Sequence, residues 1–509
     1  MKSTRRTRPA TLALTAMVLA SSTASGRLPL GDFDRATRAR EAILEMELGA
    51  ARAILDGADP SDPALTLEQA RLLIYDADCD GAAALLARSD LAATREGAAL
   101  GDIARGCARG TAATVVVEDQ ERGVWVRLQD DDDRGFVPLI ADVADRVRAV
   151  LAKDLGVELP RPLRIDLVRD QHTLAAHTGL PLEAAQTTGT VAVAKWGRVI
   201  MISPRATTRG YGWLDTLAHE MTHLALSRGT RDNAPLWLQE GVAKREEVRW
   251  REPDPFDDIP PVDAVALLGL EKGLGRPLDK LGPSIAMLPT AEEASVAFAE
   301  VASFIRYWAN ENGDEALPQL LVRLKEATEP GDVDRAIAAV SGTDLAGWDK
   351  RWRSWLSTTR RDVPQELLPW GDVPNRKEVA KRLRLGDLLD ARGHHTAAAT
   401  QLARAQTLAP HEALARSGLT AALLAAGERG SALPLVEKVE DVHNRVARWW
   451  TLHGLLHGGD GPEADRAYAN GIALDPLDAK VACEEKLAPE LPRDPLRAGI
   501  CEMARRTPR

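Results

Sequence analysis

Aromatic residues are scarce in this 509-residue chain, with only 5 Phe and 4 Tyr, while Ala, Leu, Arg and Asp are plentiful. That balance points to a helix-rich structure. There are only four cysteines and no CxxC, and none lies near a histidine cluster, so a metal site built on cysteine is excluded. Positive charge is not in excess. The net charge of -10 argues against a general nucleic-acid binder, which needs a clustered cationic surface. Nor does any segment beyond the N-terminus hold 18 uninterrupted apolar residues, so the mature protein is expected to be soluble, without stable membrane insertion. What remains, 45% hydrophobic and 28% charged residues over this length, fits a globular protein of about three domains.

The first 26 residues differ from the rest. Lys2, Arg5, Arg6 and Arg8 precede the apolar run TLALTAMVLA and the small residues SSTASG, which is the layout of a secretory signal peptide cleaved after Ala24. An exported protein, periplasmic or extracellular, is therefore expected. Cys79 with Cys107 and Cys483 with Cys501 then suit two local disulfides in an oxidising compartment, with four buried thiols as the alternative. Residues 27–111 read as four or five short helices in a helical, repeat-like domain. Strands are expected at Val115–Val117, Val124–Leu128 and LRIDLV, with a helix over Val137–Leu155, a short one near Leu174, and a hairpin in GTVAVAKWGRVIMISPR. From Gly212 onward the pattern is helical, so residues 112–358 read as an α+β domain with its sheet ahead of the helices. A Pro-rich and charged linker spans 359–375. Beyond it, Gly393 and Gly427 lie 34 residues apart, as do Ala398 and Ala432. With Leu385, Gly386, Ala405, Pro410, Ala464, Tyr468 and Pro476 at matching offsets, residues 376–509 are similar to about three degenerate tetratricopeptide repeats. Such helices offer a surface to a protein partner or to another part of the chain, and no chemistry.

Chemistry is concentrated in LAHEMTHLAL, residues 217–226. His219 and His223 are four apart, hence neighbours on one helix face, and both can reach one ion at about 2.0–2.1 Å. Glu220 is rotated off that row, beside the open position. Leu214, Leu217, Ala218, Met221 and Ala225 make an apolar stripe that packs the helix into a core. A catalytic zinc site needs a third protein ligand. Glu240, 17 residues after His223 in APLWLQEGVAKREE, is the candidate, on a second helix that starts near Pro235 and turns back on the first. Gly241 is read as the point of close approach between these two helices.

LAHEMTHLAL followed by PLWLQEGVA resembles the gluzincin zinc metallopeptidases, specifically the peptidase MA-like family, across roughly residues 112–358. The resemblance implies a zincin-like fold flanked by all-α helical regions and one zinc ion per chain held by His219, His223 and Glu240. It also implies Glu220 as general base for hydrolysis of peptide or protein substrates, and substrate binding along an edge strand within Thr190–Ile202. The pattern departs at Phe298, where relatives carry a tyrosine whose hydroxyl stabilises the oxyanion; Tyr307 lies nine residues later and that role stays unassigned. The alternative from a different class is an inactive zincin scaffold that binds proteins through its repeats. Asp215 is read as a helix N-terminal charge or a partner of the metal ligands, Asp130–Asp133 as a solvated turn, and Lys244–Glu247 as the polar face of the second helix.

Overall fold

The computed structural model describes residues 30–476 except 208–209, 254–256, 259, 330, 360–362, 364–367, 370–374, 438–445 and 458–460. The leader expected over residues 1–26 and the pair Cys483 and Cys501 lie outside the described residues. The architecture is α+β with additional helical regions: mostly helical, with one mixed five-stranded sheet. No helix among the described residues is long and apolar enough to cross a membrane.

Six helices come first: α1 (Leu30–Leu44), α2 (Leu48–Leu55), α3 (Pro63–Tyr75), α4 (Cys79–Leu86), α5 (Ser89–Ala92) and α6 (Arg95–Thr111). The sheet follows, with β1 (Val115–Asp119), β2 (Val124–Leu128), β3 (Leu163–Val168), β4 (Ala192–Lys195) and β5 (Arg198–Ile202) in the order β1-β2-β3-β5-β4. The β2/β3 and β3/β5 pairs are parallel and the two outer pairs antiparallel, which leaves β4 on an edge. Helix α7 (Val137–Leu155) makes the crossover from β2 to β3. It ends where the sequence places its end, at Gly156 in the left-handed region with φ 67°. Two short helices, α8 (Gln171–Thr178) and α9 (Leu182–Thr188), precede the β4–β5 hairpin, whose two turn residues Trp196 and Gly197 both have positive φ.

Alternation along the strands buries both faces of the sheet. Ile165, Leu167, Val199 and Met201 face the main core, while Val168, Ile200 and Ile202 pack beneath Leu174 of α8. The second face also holds charge. Arg198, fully buried, lies 3.4 Å from Asp166 and donates to Ile74 O and, at 3.2 Å, to the Cys107 sulfur. Burial would raise the Asp166 carboxyl, but the Arg198 charge outweighs it and holds the group below its ordinary range. Cys107 is disulfide-bonded to Cys79, so α4, α6 and the sheet meet at one point. Between residues 27–111 and the sheet the core is continuous: Ala36, Ile43, Leu65 and Leu72 belong to the same apolar cluster as Val126 and Ile165.

Beyond the sheet lie α10 (Trp213–Thr230), α11 (Leu236–Glu246), α12 (Val262–Glu271), α13 (Ala291–Asn312), α14 (Ala316–Lys325), α15 (Gly331–Ser341) and α16 (Leu345–Leu356). The last described helices are α17 (Arg376–Ala391), α18 (His395–Leu408), α19 (Ala413–Ala425), α20 (Arg429–Ala432), α21 (Ala447–Leu456) and α22 (Pro462–Leu474). Gly393 and Gly427 both take left-handed turns, and Ala398, Ala405, Ala432, Ala464 and Tyr468 are buried between these helices. The chain then returns to its centre. The Trp213 indole donates to Ile472 O at 3.0 Å and Tyr211 N to Leu474 O at 2.9 Å, which ties α22 to the start of α10.

Glu300 on α13 is fully buried, and burial pushes its carboxyl up to about 7 even though Arg276 N donates to it. A carboxyl raised in the folded state favours folding while protonated; that contribution fades as pH rises from the unfolded value of 4.5 through 7. Glu300→Gln is expected to leave stability nearly unchanged at pH 4 and to raise it by about 1–3 kcal/mol at pH 8, as denaturant melts at the two pH values would show.

Candidate metal centre

Helix α10 presents its two faces as the spacing predicts. Leu214, Leu217, Ala218, Met221, Leu224 and Ala225 are buried, and the remaining edge carries His223 and His219, of which His219 lines a cleft. After Thr230 the chain reverses through Arg231 and Asp232, both in the left-handed region, and α11 packs back along α10. Gly241 serves a different contact from the one read in the sequence. A Cβ there would meet Val301 O at 2.6 Å and the Ile305 side chain, so the glycine admits α13, not α10. Because the obstacle is helix backbone, Gly241→Ala is expected to destabilise the fold by about 1–3 kcal/mol, measurable by equilibrium unfolding.

The two helices bring His219, His223 and Glu240 together, the one His/Cys/Asp/Glu group among the described residues arranged to hold a metal ion. The two Nε2 atoms are 3.2 Å apart, and each lies 3.5 Å from the same Glu240 oxygen. Three donors at the corners of a tetrahedron with bonds of 2.0–2.1 Å stand about 3.3–3.4 Å apart, so the set fits one small divalent cation. The outer nitrogens agree with this. His219 Nδ1 faces a Glu247 oxygen at 3.0 Å and His223 Nδ1 faces Gln239 Oε1 at 3.0 Å. Both partners are acceptors, so each ring can donate outward from Nδ1 and, once it gives up the proton on Nε2, can offer that lone pair to an ion.

Electrostatics follow the same geometry. Burial opposes charge on His219, but its bonds to Glu240 and Glu247 outweigh this and hold it at about 10. Burial likewise favours neutral Glu240, yet the charges of His223 and His219 hold its carboxyl well below the usual range. Glu220 behaves differently. Burial raises it above the ordinary carboxylate range, and Ala194 N of edge strand β4 donates to it at 2.5 Å, fixing it beside the three donors and off them.

Glu247 and Gln239 are functional candidates that the sequence reading missed. The spacing places Glu247 on the polar face of the second helix, but it is packed between His219 and Lys244; burial works against its charge, and those two partners keep it ionised. The signal was present: Glu247 is seven residues after Glu240, two turns along the same face. Asp215 lies in the first turn of α10, as expected for a helix N-terminal charge, and accepts from Trp250 and Arg251. Asp133 corrects the solvated-turn reading, since it is 1% exposed and accepts from Ser203 and Arg205. Tyr307 stacks on Trp355, while Phe298 lines the cleft beside Glu220.

No family model matches the chain, and none of the curated proteins matches it. Glu247→Ala, which leaves all three donors in place, is expected to weaken metal affinity by about 10–100-fold in chelator competition.

Proposed function

We propose that this chain is an exported zinc metallopeptidase of gluzincin type, with a zincin-like catalytic region over residues 112–358 and a tetratricopeptide-like region over 376–509 that receives a protein partner. One observation carries the reading: His219, His223 and Glu240 converge at metal-ligand spacing with an off-axis carboxylate, Glu220, alongside. The Cys79–Cys107 disulfide supports the oxidising compartment that export requires.

His219, His223 and Glu240 would hold zinc, which would supply a Lewis acid for a peptide carbonyl and make water acidic enough to lose a proton near neutrality. The chain's own groups do the rest. Glu220 takes that proton as general base, aided by a carboxyl raised through burial, and returns it to the amine that leaves. Ala194 N holds the Glu220 carboxylate in place, and the exposed edge of β4 offers backbone groups along which an extended peptide can lie. Glu247 and Gln239 keep both imidazoles oriented.

Glu220→Gln is expected to retain one zinc per chain by elemental analysis and to lose about 10²–10⁴-fold in turnover of a peptide library. Parent-like hydrolysis by that variant contradicts the mechanism. Phe298 at the cleft, where relatives place a hydroxyl, favours the second reading, an inactive scaffold. Bound zinc with no cleavage by the parent protein would decide for it.

A further inference from the structure

The cleft beside His219 and Glu220 encloses 580 Å³, and the helices that carry the metal donors do not line it alone. Leu368 and Pro369 also line it, twelve residues and more beyond the end of α16 at Leu356. The lining is mixed in chemistry: Glu220, Lys244, Glu247 and Asp257 bring charge, and Val262, Val265, Phe298 and Leu368 bring apolar surface. Of these charged groups, Asp257 is paired with Arg251 at 2.7 Å and Lys244 with Glu247.

Leu368 is a wall and not a stopper. It is 5% exposed and belongs to the same apolar cluster as Leu217, Val265 and Phe304, so it is packed into the core from behind. With it in place the cleft still has room for a substrate side chain. A charged side chain that settles against the apolar part of the lining loses water there, whereas an aliphatic one gains contact.

We propose that Leu368 is a specificity-determining residue that forms part of an apolar pocket for the substrate side chain next to the bond cut, so that the enzyme selects peptides with an aliphatic residue there. This rests on the peptidase reading above. The catalytic unit then borrows part of its specificity from the segment that leads to the C-terminal helices.

The test uses the full-length zinc-loaded protein and peptides that differ at one position, Ala, Leu, Asp or Lys, with kcat and KM measured separately. The parent is expected to prefer Leu to Ala by about tenfold or more. Leu368→Ala is expected to erase most of that preference at unchanged zinc content, and the volume-conserving Leu368→Met to keep it. Should Leu368→Ala lose its zinc through misfolding, Leu368→Val carries the same prediction with a smaller loss. An unchanged Leu-to-Ala ratio in a folded variant overturns the proposal, as does a parent preference for Asp or Lys. A uniform rise in kcat/KM for every peptide overturns it too, since that is the mark of a stopper. A parent that binds zinc and cleaves nothing overturns the peptidase reading and this proposal with it, whereas cleavage with an unmoved ratio overturns this proposal alone.

Discussion

Two imidazole nitrogens and a carboxylate oxygen lie within 3.5 Å of one another, so close that either protons, as on His219, or a cation must sit among their lone pairs. Much of the central structure serves to hold that set together. The apolar face of α10 locks the histidine row against the sheet and α7. Gly241 lets α13 press α11 from behind, so Glu240 is carried toward the histidines. Glu247 and Gln239 then fix the rings by their outer nitrogens, and Ala194 N fixes the neighbouring Glu220.

The scaffold around this centre is joined at two places that a division into separate domains would not suggest. On the far face of the sheet, Arg198 meets Asp166, the Ile74 carbonyl and the disulfide between α4 and α6, so the first helices are fastened to the strand beside β4. At the other end, α22 hydrogen-bonds to Tyr211 and Trp213 where α10 begins. The helix that carries both histidines is therefore buttressed by the N-terminal helices, which share its core, and by the last described helix of the C-terminal array.

Local patterns were legible in the sequence because local physics writes them. Period-two alternation gave β2 and β3, and helical spacing gave α7 over Val137–Leu155. The four-residue spacing of His219 and His223, with Glu240 on the next amphipathic helix, gave the donor set that the fold brings together. Helix α9 escaped because it is seven residues long and has no side-chain cap. What depends on distant segments was not legible. Glu247 reads as a solvent-facing side chain because nothing nearby in sequence reveals that its partner is His219, 28 residues earlier. The burial of Asp133 depends on Arg205, and the need for Gly241 depends on Val301. Likewise the part Leu368 plays in the cleft appears only when the chain is folded.

The most direct measurement of the central claim is X-ray absorption at the zinc edge on the purified, zinc-loaded protein. The account predicts one zinc with two imidazole nitrogens, one carboxylate oxygen and one further oxygen or nitrogen at about 2.0–2.1 Å, and loss of that shell in Glu240→Ala. A shell containing sulfur, a spectrum of hydrated zinc alone, or a shell unchanged in Glu240→Ala would contradict it.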